Sequence, residues 1–256
     1  MRGFFTLLKH ELRMLLISPA TYVAAVVFLL MMAFFYWAVL DEMALEEQTE
    51  TPAATVFRLF WWPVCFLVPL LTMRSLAEER RQGTLETMLT TPASAMSVVL
   101  SKFVAAYLFY ILLWGLTAAF PFITLEVSQT PDLAPVLLAA TPLIGGLSFV
   151  AVSGLLFIAI GIFSSCLTRS QLVAGMLSFT LLFLLFLLGW ITANPSGFET
   201  VWLSWIEEPL GYLHTFAHLD DFVRGVIDTR PFIYYASFTA LFLGLSVLIV
   251  EAKASR

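Results

Sequence analysis

The stretch RSLAEERRQGTLETMLTTP, Arg74–Pro92, packs six charged residues into nineteen. The 256-residue chain around it is 60% hydrophobic and only 12% charged. A soluble domain averages roughly 25% charged and 45–50% apolar residues, so the chain reads as a membrane protein with a polar island in it. The fold follows from what flanks that island, and the function from what the island touches.

A membrane-crossing helix needs about 20 mostly apolar residues, and working outward from the island finds six such runs. Before it lie 20–40, which is free of charge, and 53–73, where 15 uncharged residues separate Arg58 from Arg74. After it come 98–125, a span at 138–166, then 170–191 and 232–250. The fourth belongs to an uncharged run of 36 residues, Leu133–Thr168, interrupted by Pro135, Pro142 and the pair Gly145-Gly146. Its first part therefore reads as interfacial or broken. The whole chain forms one transmembrane domain of all-α class. No cleavable leader is expected, because the first apolar stretch is longer than a signal-peptide core and has no cleavage site.

Six spans put both termini on one side. With that side cytoplasmic, the inner segments hold Arg2, Lys9, Arg13, Arg74, Arg80, Arg81, Lys102, Arg169, Lys253 and Arg256, and the outer ones only Arg58, Arg224 and Arg230. The positive-inside rule selects this orientation and makes the island cytoplasmic. The net charge of −5 comes largely from outer loops such as Asp41–Glu50, and acidic residues count little toward orientation. Residues 1–18 carry Phe4, Leu8, Leu12 and Leu15 on one helical face and Lys9, His10 and Arg13 elsewhere. They read as an amphipathic helix on the inner leaflet, with Pro19 turning the chain into the membrane.

Within the island, Ser75 and Glu78 have capping-box spacing. A helix then runs to Gly83, a residue suited to the left-handed turn that ends helices. A second short helix, TLETMLT, stops before Pro92 and places Leu85, Met88 and Leu89 along one apolar edge. That is more structure than a connection between spans requires, and it suggests a surface built to be gripped by another protein.

LLTMRSLAEERRQGTLETMLTTP, leading into VVLSKFVAAY, resembles the cytoplasmic segment of type-2 ABC exporter permeases, and within them the GldF-like gliding-motility subgroup. GIFSSCLTRSQLVAG at 161–175 and HLDDFVRGVIDTRPFIYY at 218–235 resemble the same group. The resemblance implies the six-helix type-2 exporter architecture. Residues 1–18 would be its amphipathic connecting helix, 74–92 its coupling helix and 193–231 its outer re-entrant helices. The coupling helix would dock on a separate ATP-binding subunit, present in two copies, through Glu78, Glu79, Arg80, Arg81, Thr84, Leu85 and Glu86, with Met88 and Leu89 beside them. Arg169 and Gln171, in the second inner loop, would lie near the same partner. ATP and Mg would sit in that partner, with no cofactor in this chain. Further expected partners are a second permease chain, identical or distinct, the lipid bilayer and an extracytoplasmic protein; nucleic acid is not among them. The expected location is a bacterial inner membrane.

Other motifs carry less. No G-x-x-x-x-G-K-[ST] and no H-E-x-x-H occurs, so neither nucleotide binding nor metalloprotease chemistry is expected of this chain. Ala151–Gly154, AVSG, is similar to the serine motif of rhomboid intramembrane proteases. The first motif glycine is missing, however, and the sixth span has no histidine to act as base. Ser153, Gly154, Gly161 and Ser165 instead suit close helix packing, and Cys65 and Cys166 read as small packing residues. His214 and His218, followed by Asp220 and Asp221, have metal-compatible spacing but read as an interfacial helix. Asp221 and Arg224 are expected to pair as a lid element on the outer side. Arg58, a few residues inside the second run, is expected to snorkel to water. The functional expectation is an exporter permease driven by ATP hydrolysis in its partner. Its rivals are a mechanical transmitter that moves no cargo and, further off, a secondary transporter, which would want an internal repeat and charged midplane sites.

Overall fold

The computed structural model describes residues 2–45, 50–84, 94–128, 133–193, 215–226 and 228–254, and every regular element among them is a helix. In chain order these are α1 (Arg2–Ile17), α2 (Pro19–Leu45), α3 (Pro52–Arg58), α4 (Trp61–Thr72), α5 (Ala77–Gln82), α6 (Ala95–Thr117), α7 (Ala119–Ser128), α8 (Ala134–Leu137), α9 (Ala140–Leu167), α10 (Gln171–Ala193), α11 (Thr215–Val223) and α12 (Thr229–Ala254). Five helical stretches are long and apolar enough to cross a membrane, and α3 with α4 makes a sixth if that bent pair is counted as one span.

The second run is thus not the single straight span expected. It bends by 55° between α3 and α4. Pro63 has no N–H to donate and its ring crowds the carbonyl four residues back, which disfavours a continuous helix through Leu59. Three-residue turns replace the ladder there: Leu59 N donates to Val56 O, Phe60 N to Phe57 O and Trp62 N to Leu59 O. The bend drives Phe60 inward. It is completely buried, with ring centroids 5.1 Å from Phe149 and 5.5 Å from Phe186.

The centre of the bundle is α9, which packs against α3, α4, α6, α10, α11 and α12. The break expected within its run falls at Leu138–Ala139, between α8 and α9, and not at the glycine pair. Pro142 is tolerated because it occupies the first turn of α9, where an N–H has no intrahelical partner. Gly145 and Gly146 lie inside the helix for a different reason. A Cβ on Gly145 would collide with the backbone carbonyl of Phe222 in α11, and one on Gly146 with the ring of Phe57 in α3. These are points of close approach rather than hinges. Ser153 is fully buried and its hydroxyl donates to Phe149 O at 2.8 Å within the helix. Cys65 and Cys166 are buried and unbridged.

The helices α2, α10 and α12 turn much of their apolar surface outward, including Leu30, Phe34, Met176, Leu241 and Leu248, as helices bathed in lipid do. Helix α1 lies against α6 and α2 with Phe4, Leu8, Leu12 and Leu15 half-buried, the face the periodicity selects. Ser18 alone separates it from α2, whose first helical position is Pro19. Phe60→Ala should lower stability by about 3–5 kcal/mol, the cost of emptying a filled aromatic site. Leu30→Ala, at a position 65% exposed, should change it by no more than about 0.5 kcal/mol. Thermal unfolding in one detergent, followed by tryptophan fluorescence, compares the two.

Candidate functional site

At the end of the bundle that carries both termini, the island's helix α5 is anchored from three sides. Six residues are too few for a helix to persist alone, so its geometry comes from its neighbours. The expected capping box does not form: the residue before the helix is Leu76, with no side-chain cap of its own. Its place is taken from across the fold by Ser165, near the end of α9, whose Oγ accepts from both Leu76 N and Ala77 N at 3.0 Å. Ser165, Leu76 and Ala77 are all completely buried, and burial is why a partner from α9 replaces one exposed to water. The other end agrees with expectation: Gly83 adopts φ 72° and its N–H returns to Glu79 O.

The second anchor is Lys102 of α6, whose side chain is 3% exposed. Its Nζ donates to Glu79 at 2.6 Å and to Glu11 of α1 at 2.8 Å. One ammonium thus joins α1, α5 and α6. Burial pushes the Glu79 carboxyl above the usual carboxylate range, against the lowering pull of Lys102. The third anchor is the carboxyl end of α9. Arg80 Nη1 donates to Cys166 O at 2.6 Å and to Thr168 O at 3.2 Å, and Lys253 of α12 reaches Cys166 O at 3.1 Å. Cations placed there meet the negative end of the helix dipole. Burial lowers the Arg80 guanidinium from its ordinary value, and repulsion from Arg169 lowers it further.

The residues expected to form a docking face therefore divide. Glu79 and Arg80 point into the chain's own fold. Glu78 receives Arg81 at 3.2 Å and Gln82 at 2.9 Å, and Gln171 also donates to it, so the second loop does meet the island. Arg74 Nε donates to the Gln171 side chain at 3.3 Å. Arg81, Gln82, Thr84 and Arg169 are exposed. Leu85, Glu86, Met88 and Leu89, with the second short helix, lie outside the described residues. Nothing in the sequence pattern singled out Ser165 as the cap or Lys102 as the junction; a lone lysine near the start of the third apolar run was the available signal for the latter.

At the opposite end, the expected Asp221–Arg224 pair does not form. α11 ends at Val223 and Gly225 turns the chain with φ 82°; Arg224 N still donates to Asp220 O at 3.0 Å, but no ion pair joins its side chain to Asp221. Its neighbour Asp220 accepts from Arg58 Nε at 2.9 Å, and Arg58 Nη1 reaches Glu50 at 2.5 Å. Arg58 is ion-paired, then, rather than merely snorkelling. His218 faces the rings of Tyr234 and Tyr235. His214 and the rest of 194–214, much of the expected re-entrant region, lie outside the described residues, and α11 is the helix described within it.

Lys102→Met should cost about 3 kcal/mol, because it strands two partly buried carboxylates. Adding Glu11→Gln and Glu79→Gln to it should recover most of the loss, whereas Arg81→Gln, on an exposed pair, should cost less than about 1 kcal/mol. Ser165→Ala should cost about 1–2 kcal/mol as a lost cap and raise amide exchange at Leu76 and Ala77 ahead of the rest of the chain. Thermal unfolding in detergent and hydrogen exchange read these out.

Against known proteins, residues 5–250 match the family model described as ABC-2 family transporter protein. No curated protein matches the chain. A match over nearly the whole length, on a bundle of apolar spans, shows that the chain belongs to the ABC-2 transporter family, the membrane-embedded permeases of ABC transporters.

Proposed function

We propose that the chain is the permease subunit of an ATP-binding cassette exporter, and that α5 is the coupling helix on which a separate ATP-binding subunit seats. The observation that carries this reading is the triple anchoring of α5. A short helix tied to α9 by Ser165, to α6 and α1 by Lys102, and to the end of α9 again by Arg80 cannot move alone. Displacement of α5 becomes displacement of three helices, the rigid-body motion a transporter needs. Arg81, Gln82 and Thr84, with Arg169 in the second loop, offer the outward surface. Leu85, Glu86, Met88 and Leu89 extend it by their sequence pattern.

The partner, in two copies, would bind ATP and Mg. A second permease chain, identical or distinct, completes the transporter. The excess of basic residues on the segments beside the island supports cytoplasmic termini in a bacterial inner membrane, and the three stretches quoted above support the gliding-motility subgroup. An apolar bundle suits amphipathic cargo better than ions.

Affinity purification in mild detergent tests this reading. The wild-type chain should bring down a Walker-motif protein with ATPase activity. Reversing the exposed surface with Arg81→Glu and Thr84→Arg should weaken that association by at least about tenfold, since opposed like charges at an interface cost several kcal/mol, while lowering stability by no more than about 1 kcal/mol. Absence of any nucleotide-binding protein from the wild-type preparation would overturn the proposal.

A further inference from the structure

Three cations meet at the carboxyl end of α9 with no acid to balance them. Arg80 Nη1 and Lys253 Nζ both donate to one carbonyl, Cys166 O, at 2.6 and 3.1 Å. Arg169 follows three residues later in the chain, close enough to repel both of them. Among the described residues none of the three has a carboxylate within ion-pair reach: Glu78 pairs with Arg81, and Glu79 with Lys102. The end of a helix supplies about half a negative charge, which three positive ones exceed. Arg80 gives Nη1 to Cys166 and Thr168, and that leaves Nε and Nη2 as donors. Arg169 is exposed. The cluster therefore combines donors with unbalanced positive charge, the two things a phosphate group needs from a protein.

The place of the cluster selects the kind of phosphate. One apolar span ends at Leu167, the next begins at Gln171, and another ends at Lys253. Arg169 and Lys253 thus stand where spans leave the hydrocarbon. Apolar surface begins immediately beside them. Leu167 and Val173 are each nearly half exposed, Leu172 is 76% exposed, and Leu248, little more than one turn before Lys253, is 62% exposed. Cations at the ends of spans, with bare apolar side chains leading away into the membrane, match a phosphate that carries acyl chains better than one free in water. A zwitterionic head group would bring an ammonium up to three cations, and an anionic one does not.

We propose that Arg80, Arg169 and Lys253 bind the head group of an anionic phospholipid in the leaflet at that end of the bundle. Its phosphate bridges α5, the α9–α10 connection and the end of α12, and its chains lie along Leu172 and Leu248. The bound head group balances charges that otherwise push α5 and α12 apart, and so tightens the anchoring of α5. The proposal rests on the chain spanning a membrane, not on ATP coupling.

The test is lipid retention by the full chain, purified in mild detergent with equimolar phosphatidylglycerol and phosphatidylethanolamine and read by native mass spectrometry. Phosphatidylglycerol should be retained over phosphatidylethanolamine by at least about tenfold, since each basic residue beside anionic lipid contributes severalfold. Arg169→Gln with Lys253→Gln should bring the two lipids close to equal retention. Arg169→Gln alone should lower the preference severalfold, and carries the test if the double variant unfolds at a lower temperature, because Arg169 is exposed. Lys9→Gln with Arg13→Gln removes two exposed cations from α1 and should leave the preference as it is. Equal retention of both lipids by the wild type, an equal fall in both double variants, or no fall in either would each overturn the proposal. So would displacement of the lipid by millimolar inorganic phosphate, which marks a site for a free anion. The ATPase co-purification is scored on the same samples. If Arg169→Gln with Lys253→Gln releases the ATPase while the lipid preference holds, the cluster belongs to that partner and the lipid proposal fails. A chain that brings down no ATPase yet retains the anionic lipid through Arg169 fails the coupling proposal and keeps this one.

Discussion

The ammonium of Lys102 is the constraint around which this end of the molecule is arranged. A charge moved from water into a protein interior loses several kcal/mol of solvation even after relaxation, and a lysine in an apolar span has few ways to recover it. Here two carboxylates do so, Glu11 at 2.8 Å and Glu79 at 2.6 Å. They come from segments 91 and 23 residues away in sequence. The amphipathic first helix and the polar island therefore cannot be placed independently of the third apolar run. An ordinary loop would have spent Glu79 on water.

The carboxyl end of α9 serves the same purpose from the other side. Ser165 closes the amino end of α5, and the carbonyls of Cys166 and Thr168 take Arg80 while Lys253 shares Cys166. Neighbouring positions on one helix thus fix α5 in place and bring the last helix to it. The opposite end of the bundle is held differently. Arg58, Glu50 and Asp220 are each about 40% exposed, and ion pairs open to water contribute little. One end is bound by buried pairs that are costly to break and the other by exposed pairs that exchange readily with solvent.

Much of the architecture was legible because it rests on local chemistry. Uncharged runs of about twenty residues become helices in lipid, where the backbone must satisfy its own hydrogen bonds, and apolar helices lie over those runs. The helical face of Phe4, Leu8, Leu12 and Leu15 packs as its period requires, and Gly83 ends α5 in the left-handed turn. The bend at Leu59–Phe60 had its signal in Pro63, but a proline permits a bend without choosing it; the aromatic cluster around Phe60 chooses it. The glycine pair at 145–146 reads in sequence as a breaker, and only the arrival of Phe222 and Phe57 shows it to be a contact surface.

The sequence alone therefore settles the class of the protein, its apolar runs, its amphipathic first helix and its family, because each depends on composition, short-range period or motif. Which acid pairs with which base was left to the tertiary structure. Ser75 is the local cap and Ser165 the actual one; Asp221 has the local spacing to Arg224, and Asp220 has Arg58. In each case a candidate a few residues away lost to one brought from a distant helix. A buried polar group binds whatever partner shares its burial, and burial is a property of the assembled bundle rather than of neighbours in the chain.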